Sequence, residues 1–297
     1  MVPKGQPWAP LGYKGVFSYF QRVRGTLFSS MERGRGGAMD DVYEAEAMQS
    51  GGDETSVPSV QESGARRLAG AADVCELLSV AFRFPEEDAL AVALVDGRFA
   101  ADAQGAFSDA GAPAEALAAS DELLASFRGL NAAALQRDLR RGYSLLFLAP
   151  GAKVPVWPYE APFRYRAKGR AGAPSLFRSP VTLEVAASMS EVGFKPVDAT
   201  EPPDSVADEL AFLSALLATA AAALQGGEES VAQNWLGKAR RFWNDHPGQW
   251  LPAFMEQVQQ ESPLRKGASP YGLLAQWGAL VLSVLSFLGN AAEGARV

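Results

Sequence analysis

The sequence predicts an all-α fold: a single helical-bundle domain behind an N-terminal extension. Three observations predict it. Apolar residues recur at spacings of three and four from Arg66 onward. The later stretches show no period-two alternation, so no sheet is expected. Helix-starting and helix-breaking residues such as Ser179-Pro180, Ala149-Pro150-Gly151 and Gly226-Gly227 punctuate the chain. The chain has 297 residues, of which 48% are hydrophobic, enough for a packed core.

Each element follows from its own pattern. Leu68, Ala72, Cys75, Leu78, Val80 and Phe82 share one broad helical face, and Pro85 stops that helix. Residues 86–95 make a short second helix. Residues 113–127 are rich in Ala and Leu, good helix formers. Leu135, Leu139, Tyr143, Leu146 and Phe147 mark a further helix that ends near Pro150. Residues 151–178 read as one long irregular segment rich in Pro, aromatics and Arg. A loop of that length is either functional or a lid packed by its aromatics. Ser179 then caps a helix with Pro180 at its first position, running to Gly193. Pro202-Pro203-Asp204-Ser205 launches a long helix, with Val206, Leu210, Leu213 and Leu217 as its buried stripe. Ser205 with Asp208 resembles a capping box, and Asp208 and Glu209 favour the helix dipole. Residues 228–244 and 249–260 form two more helices. Residues 267–292 carry no charge. They are long enough to cross a bilayer, but Ser269, Gln276, Ser283, Ser286 and Asn290 interrupt the run and no basic cluster flanks it. A buried core helix is expected there, without stable membrane insertion.

Residues 1–65 read differently. Gly, Ser, Pro and charge dominate, with too few periodic apolar positions to offset ordering entropy. This stretch is expected to be disordered, or else Met31, Met39 or Met48 is the true start. Val16-Phe17-Ser18-Tyr19-Phe20, beside Arg22 and Arg24, is its one amphipathic patch. The domain is then expected to span residues 66–297.

Charge and composition narrow the function. The net charge is −7 and the pI about 5.0. Residues 1–38 carry net +5, so the remainder carries −12. A net-acidic chain is poorly suited to nucleic acid, which demands clustered Lys and Arg. One cysteine and one histidine exclude a disulfide framework and a Cys/His zinc site, and suit a reducing cytoplasm. Cys75 sits in an apolar helical run, where a buried inert thiol is expected. His246 lacks any nucleophile motif beside it. No phosphate loop or catalytic constellation is present. The chain is therefore read as no enzyme, with no cofactor and no metal.

Three blocks carry a family resemblance. The first is Tyr143-Ser144-Leu145-Leu146-Phe147 followed by Pro158-Tyr159-Glu160-Ala161. The second is residues 201–213, whose Pro203-Asp204-Ser205-Val206-Ala207-Asp208-Glu209-Leu210 core is the most specific. The third is Phe242, His246, Trp250 and Phe254 at intervals of four, with a tyrosine-led apolar helix following from Tyr271. Together these resemble the TorD/DmsD/NarJ family over roughly residues 66–290. Its members are all-α cytoplasmic chaperones for molybdenum-containing redox enzymes. The resemblance implies a TorD-like bundle that binds the leader or N-terminal segment of a molybdopterin oxidoreductase catalytic subunit. It further implies that the client is held until its cofactor is inserted. Two positions depart from the family pattern: Ser205 stands where His is usual, and Ala161 where Ser is usual.

The residues that the resemblance marks for client binding are Tyr143, Phe147, Trp157, Pro158, Tyr159, Glu160, Asp204, Ser205, Asp208 and Glu209. A twin-arginine leader needs carboxylates beside an apolar groove, and these residues supply both. Structural roles compete at several of them. Phe147 suits core as well as groove, Asp204 suits a helix cap, and Glu209 suits an internal ion pair. A long hinge such as 151–178 also permits exchange of helices between two protomers. A helical ligand-binding regulator is the alternative function.

Overall fold

The computed structural model describes residues 60–148, 154–171, 175–196 and 200–289. The patch at Val16–Phe20 and the candidate starts Met31, Met39 and Met48 lie outside the described residues. Within them the chain is all-helical, with eleven α-helices and no strand. In order these are α1 (Val60–Ala81), α2 (Ala89–Val95), α3 (Arg98–Asp109), α4 (Ala114–Ala125), α5 (Ala132–Phe147), α6 (Glu160–Ala167), α7 (Pro180–Glu191), α8 (Val206–Gln225), α9 (Glu229–Asp245), α10 (Pro247–Glu261) and α11 (Ser269–Val284).

Three differences from the sequence reading have physical causes. α1 begins at Val60, six residues before the expected boundary. Gln61 Nε2 anchors that first turn by donating to Leu224 O at the far end of α8 (2.7 Å). α3 has no counterpart in the sequence reading. Its inner face is small, with Ala100, Ala103, Gly105 and Ala106 buried between Phe99 and Phe107, so it lacks the large apolar stripe that marks a helix. α6 interrupts the segment expected to be irregular. Pro162 is tolerated there because it sits in the first turn, where backbone N–H groups have no intrahelical acceptor.

The long helix α8 is the spine. It packs along α1 on one side and α9 on the other, and α10 pairs with α11. Aromatic side chains fill the junction. Phe147 stacks on Phe254 with centroids 5.9 Å apart and meets Tyr271 edge-on at 5.4 Å. Phe82 meets Phe254 at 5.5 Å, and Tyr143 meets Phe147 at 4.9 Å. Trp277 is fully buried, and its indole N–H donates to Ser120 Oγ at 2.9 Å. In α11 and the 3₁₀ turn after it, Tyr271, Leu274, Trp277, Val281 and Leu285 point inward, while Gln276, Ser283 and Ser286 are exposed. The polar interruptions thus form one outer face of a core helix. Val206–Gln225 and Ser269–Leu288 are each apolar and long enough to cross a membrane, yet much of each lies inside the bundle.

One glycine sets how closely two helices approach. A Cβ at Gly70 of α1 would stand 2.2 Å from Ala110 N and 2.7 Å from Ala106 O, backbone atoms that cannot swing aside. Gly70→Ala is therefore expected to lower stability by about 1–3 kcal/mol, the cost of overpacking. Denaturant unfolding measures it, and an unchanged midpoint would contradict the close approach of α1 and α3.

Candidate functional site

The start of α8 is built by its own sequence. Pro202 O accepts Ser205 N–H, and Ser205 takes the extended backbone of an N-cap. Ser205 Oγ accepts from Asp208 N at 3.0 Å and donates to Asp208 Oδ2 at 3.1 Å. Asp208 thus also accepts a hydrogen bond from the cap's hydroxyl, a contact that a capping box does not include. Asp208 Oδ1 meets Arg83 Nη2 at 3.1 Å, and Ser79 Oγ donates to Ala207 O at 2.7 Å. The end of α1 is thus tied to the start of α8.

The strand-like run before α6 lies antiparallel to this start. Val206 N donates to Pro158 O (3.0 Å) and Glu160 N to Asp204 O (2.8 Å), with Tyr159 bridging Ser205. Asp204 Oδ2 then accepts from Ala161 N at 2.9 Å and from Thr182 Oγ1 at 3.1 Å. Asp204 is therefore an N-cap for α6 supplied from outside that helix. It joins α6, α7 and α8 at one carboxylate.

Two further acids are buried beside it. Glu160 bonds Arg164 Nη1 through one oxygen (2.5 Å) and accepts from His246 Nδ1 through the other (2.8 Å). Glu209 Oε2 accepts the indole N–H of Trp250 at 2.9 Å, while Oε1 has no hydrogen-bond partner. Burial pushes the Asp204 carboxyl up to about 6, against the pull of the Ala161 N–H and the Thr182 hydroxyl. Burial also pushes Glu209 well above the usual carboxylate range, and the charge of Glu160 adds to it. The phenols of Tyr143 and Tyr159 are raised by burial and by nearby Glu201, so both stay neutral donors.

The structure brings most of the marked residues together but turns their carboxylates inward. Glu160, Asp204 and Glu209 are fully buried, Asp208 nearly so. Phe147 is core, and Tyr143 packs on Phe84 at 5.2 Å and on Phe147. The backbone of Pro158 belongs to the bridge, and its side chain is buried. Trp157 and Tyr159 keep partial exposure. Leu145 and Leu148 are 37% and 50% exposed on either side of Leu146, whose carbonyl accepts from Val156 N. His246, Trp250, Arg83 and Thr182 complete the cluster and were not among the marked residues. The signal for two of them was present, because His246 and Trp250 belong to the third sequence block. The three blocks are thus one hydrogen-bonded unit: Glu160 meets His246, and Glu209 meets Trp250. Cys75 is buried and unpaired, and burial pushes its thiol up. No cluster able to hold a metal ion occurs among the described residues.

The fold is an all-helical bundle, and its buried polar cluster ties the run before α6 to the start of α8. The family model for nitrate reductase delta subunits matches residues 110–256, and the chain belongs to that family, the NarJ/TorD chaperones. Members are non-catalytic maturation factors for molybdoenzymes, so the chain is no enzyme. No curated protein and no solved structure matches it.

The raised Asp204 carboxyl has a signed consequence. Below its ordinary value near 3.8 both folded and unfolded chains hold the proton, and Asp204 contributes no pH dependence. Between there and about 6 only the unfolded chain releases it, so stability falls as pH rises. Asp204→Asn removes this loss while keeping an oxygen for Ala161. Relative to the unsubstituted chain, the variant should gain up to roughly 3 kcal/mol between pH 4 and pH 7. Paired thermal melts across that range check it. A variant whose relative stability is flat or falls with pH would contradict the assignment.

Proposed function

We propose that this chain binds the leader or N-terminal segment of a molybdopterin oxidoreductase catalytic subunit. It holds that client in the cytoplasm for cofactor insertion, assembly and, where the client is exported, twin-arginine translocation. One observation carries the reading: the three motif blocks converge on a buried cluster whose effect is to hold residues 154–167 against the start of α8. Tyr143, Phe147, Pro158, Glu160, Asp204, Ser205, Asp208 and Glu209 act as the frame. Trp157 and Tyr159, with Leu145 and Leu148, are the surface that the frame presents.

The chemistry suits an Arg-plus-apolar segment. The buried acids pair with Arg83, Arg164 and His246 or are pushed toward the neutral form, so attraction of a guanidinium group falls to an acid at the surface and a direct contact. Glu201, partly exposed beside Tyr159, is the acid placed for a direct one. The aromatic and leucine surface takes the apolar part of the leader. The two departures fit a framing role. Ser205 uses its hydroxyl to cap α8, and Ala161 contributes its backbone N–H to Asp204.

This division of roles predicts opposite outcomes for two variants. Tyr159→Ala should weaken binding of a twin-arginine leader peptide about tenfold or more, as for an aromatic anchor, with little change in melting temperature. Glu209→Gln keeps an oxygen for the Trp250 indole and should leave affinity within about threefold, under 1 kcal/mol. Calorimetric titration beside thermal melts reads both. Unchanged affinity for Tyr159→Ala, or a tenfold loss for a normally folded Glu209→Gln, would overturn it.

A further inference from the structure

The outer face of α5 carries a second surface feature. Arg137, Arg141, Ser144 and Leu148 recur at intervals of four, three and four, so they lie along one stripe of the helix and its C-cap. All four are exposed. Arg140 and Leu145 flank the stripe, and the Arg140 guanidinium lies over the Phe84 ring at 5.7 Å. The opposite side, with Leu135, Leu139, Tyr143 and Leu146, is buried. Among the described residues no ion pair holds Arg137, Arg140 or Arg141. Arg137 and Arg141 repel each other across one helical turn, and Asp138 is the sole acid of the helix.

A turn from a distant part of the chain extends this face. A Cβ at Gly142 of α5 would stand 3.1 Å from Gly267 O, and one at Gly267 would stand 3.1 Å from Arg141 Cδ, so the turn before α11 lies directly against α5. Lys266 is exposed there and has no ion pair among the described residues. Leu264 is 75% exposed, and three residues of chain keep it within about 10 Å of Gly267. The acid that precedes this turn, Glu261, is already paired with Arg265. Leu145, Leu148 and Leu264 are three of the eight large apolar side chains exposed among the described residues. Apolar exposure is therefore gathered here beside cations instead of scattered singly.

We propose that this face docks peripherally on an anionic lipid surface. Arg137, Arg141 and Lys266 meet lipid phosphates, and Leu148 and Leu264 enter the headgroup layer. Two features favour a bilayer over an acidic protein segment. The leucines project from the outer side of a helix and from a turn, where a lipid layer envelops them, whereas a peptide is taken up by a groove or a sheet edge. Residues 39–297 carry net −12, so an anionic surface repels them as a whole and admits them by a basic face alone. The contact leaves α8 and α11 inside the bundle. The inference stands apart from the client reading, although Leu145 and Leu148 belong to both surfaces.

Co-sedimentation of the full, client-free chain with vesicles tests it. One set is phosphatidylcholine alone, the other phosphatidylcholine mixed equally with phosphatidylglycerol. The chain should sediment with the anionic set only, and less so in about 0.5 M NaCl, where exposed charges are screened. Arg137→Gln/Arg141→Gln keeps helix propensity and should lower partitioning about tenfold or more, at about fivefold for each cation. Leu148→Ser/Leu264→Ser should lower it about fivefold or more. Arg66→Gln/Arg67→Gln makes the same charge change on the first half of α1 and should leave partitioning within about twofold. All six positions are exposed, so each variant should keep the circular dichroism and melting temperature of the unsubstituted chain. Failure to sediment with the anionic set, equal partitioning on both sets, an equal loss in the two arginine pairs, or unchanged binding of the leucine variant would each overturn the proposal. So would binding that survives Arg137→Gln/Arg141→Gln because the basic residues 1–38 carry it. Capture of a polyglutamate peptide that depends on Arg137 and Arg141, without partitioning onto vesicles, would assign the face to an acidic protein instead and overturn it too.

Discussion

The carboxylate of Asp204 is the contact on which the surface of this protein depends. It is fully buried, begins the turn into α8, and caps a different helix through the Ala161 N–H. α6 is only eight residues long and contains a proline, too short to persist alone. Its local sequence supplies no side-chain cap. Removing the Asp204 oxygen therefore frees more than one hydrogen bond. The first turn of α6 loses its cap, while the run before it stays tied to α8 by backbone bonds and to His246 by Glu160. Phe163 packs on Trp250 at 5.5 Å and Phe254 at 6.0 Å.

Burying several acids in one place is unfavourable unless each is satisfied differently. Asp208 is matched by Arg83, and Glu160 by Arg164 and His246. Glu209 has only an indole, and Asp204 only neutral donors, and these are the two whose carboxyls are pushed up. The arrangement fixes register between segments far apart in sequence. A hydrophobic contact tolerates sliding, whereas a carboxylate between two named donors does not.

Much of the fold was legible because amphipathic periodicity and caps are local. Ser179 and Ser205 cap where the sequence placed them, and the later helices follow their apolar stripes. α3 was not legible, because a face of Ala and Gly gives no period. α6 was not, because its cap comes from residue 204. The marked site residues were legible as motif blocks, but their direction was not. Glu209 reads equally as groove acid or internal partner until Trp250, forty-one residues away, is placed beside it. Phe147, open between core and groove, is settled as core by Phe254 and Tyr271, again distant in sequence.

The central claim is that one buried carboxylate, that of Asp204, fixes the first turn of α6. Native-state hydrogen exchange at the Ala161 amide tests it most directly. The amide should be protected as well as those in the middle of α8, and Asp204→Ala should reduce its protection to that of an open loop while α8 stays protected. Fast exchange in the unsubstituted protein, or equal protection in the variant, would contradict the claim.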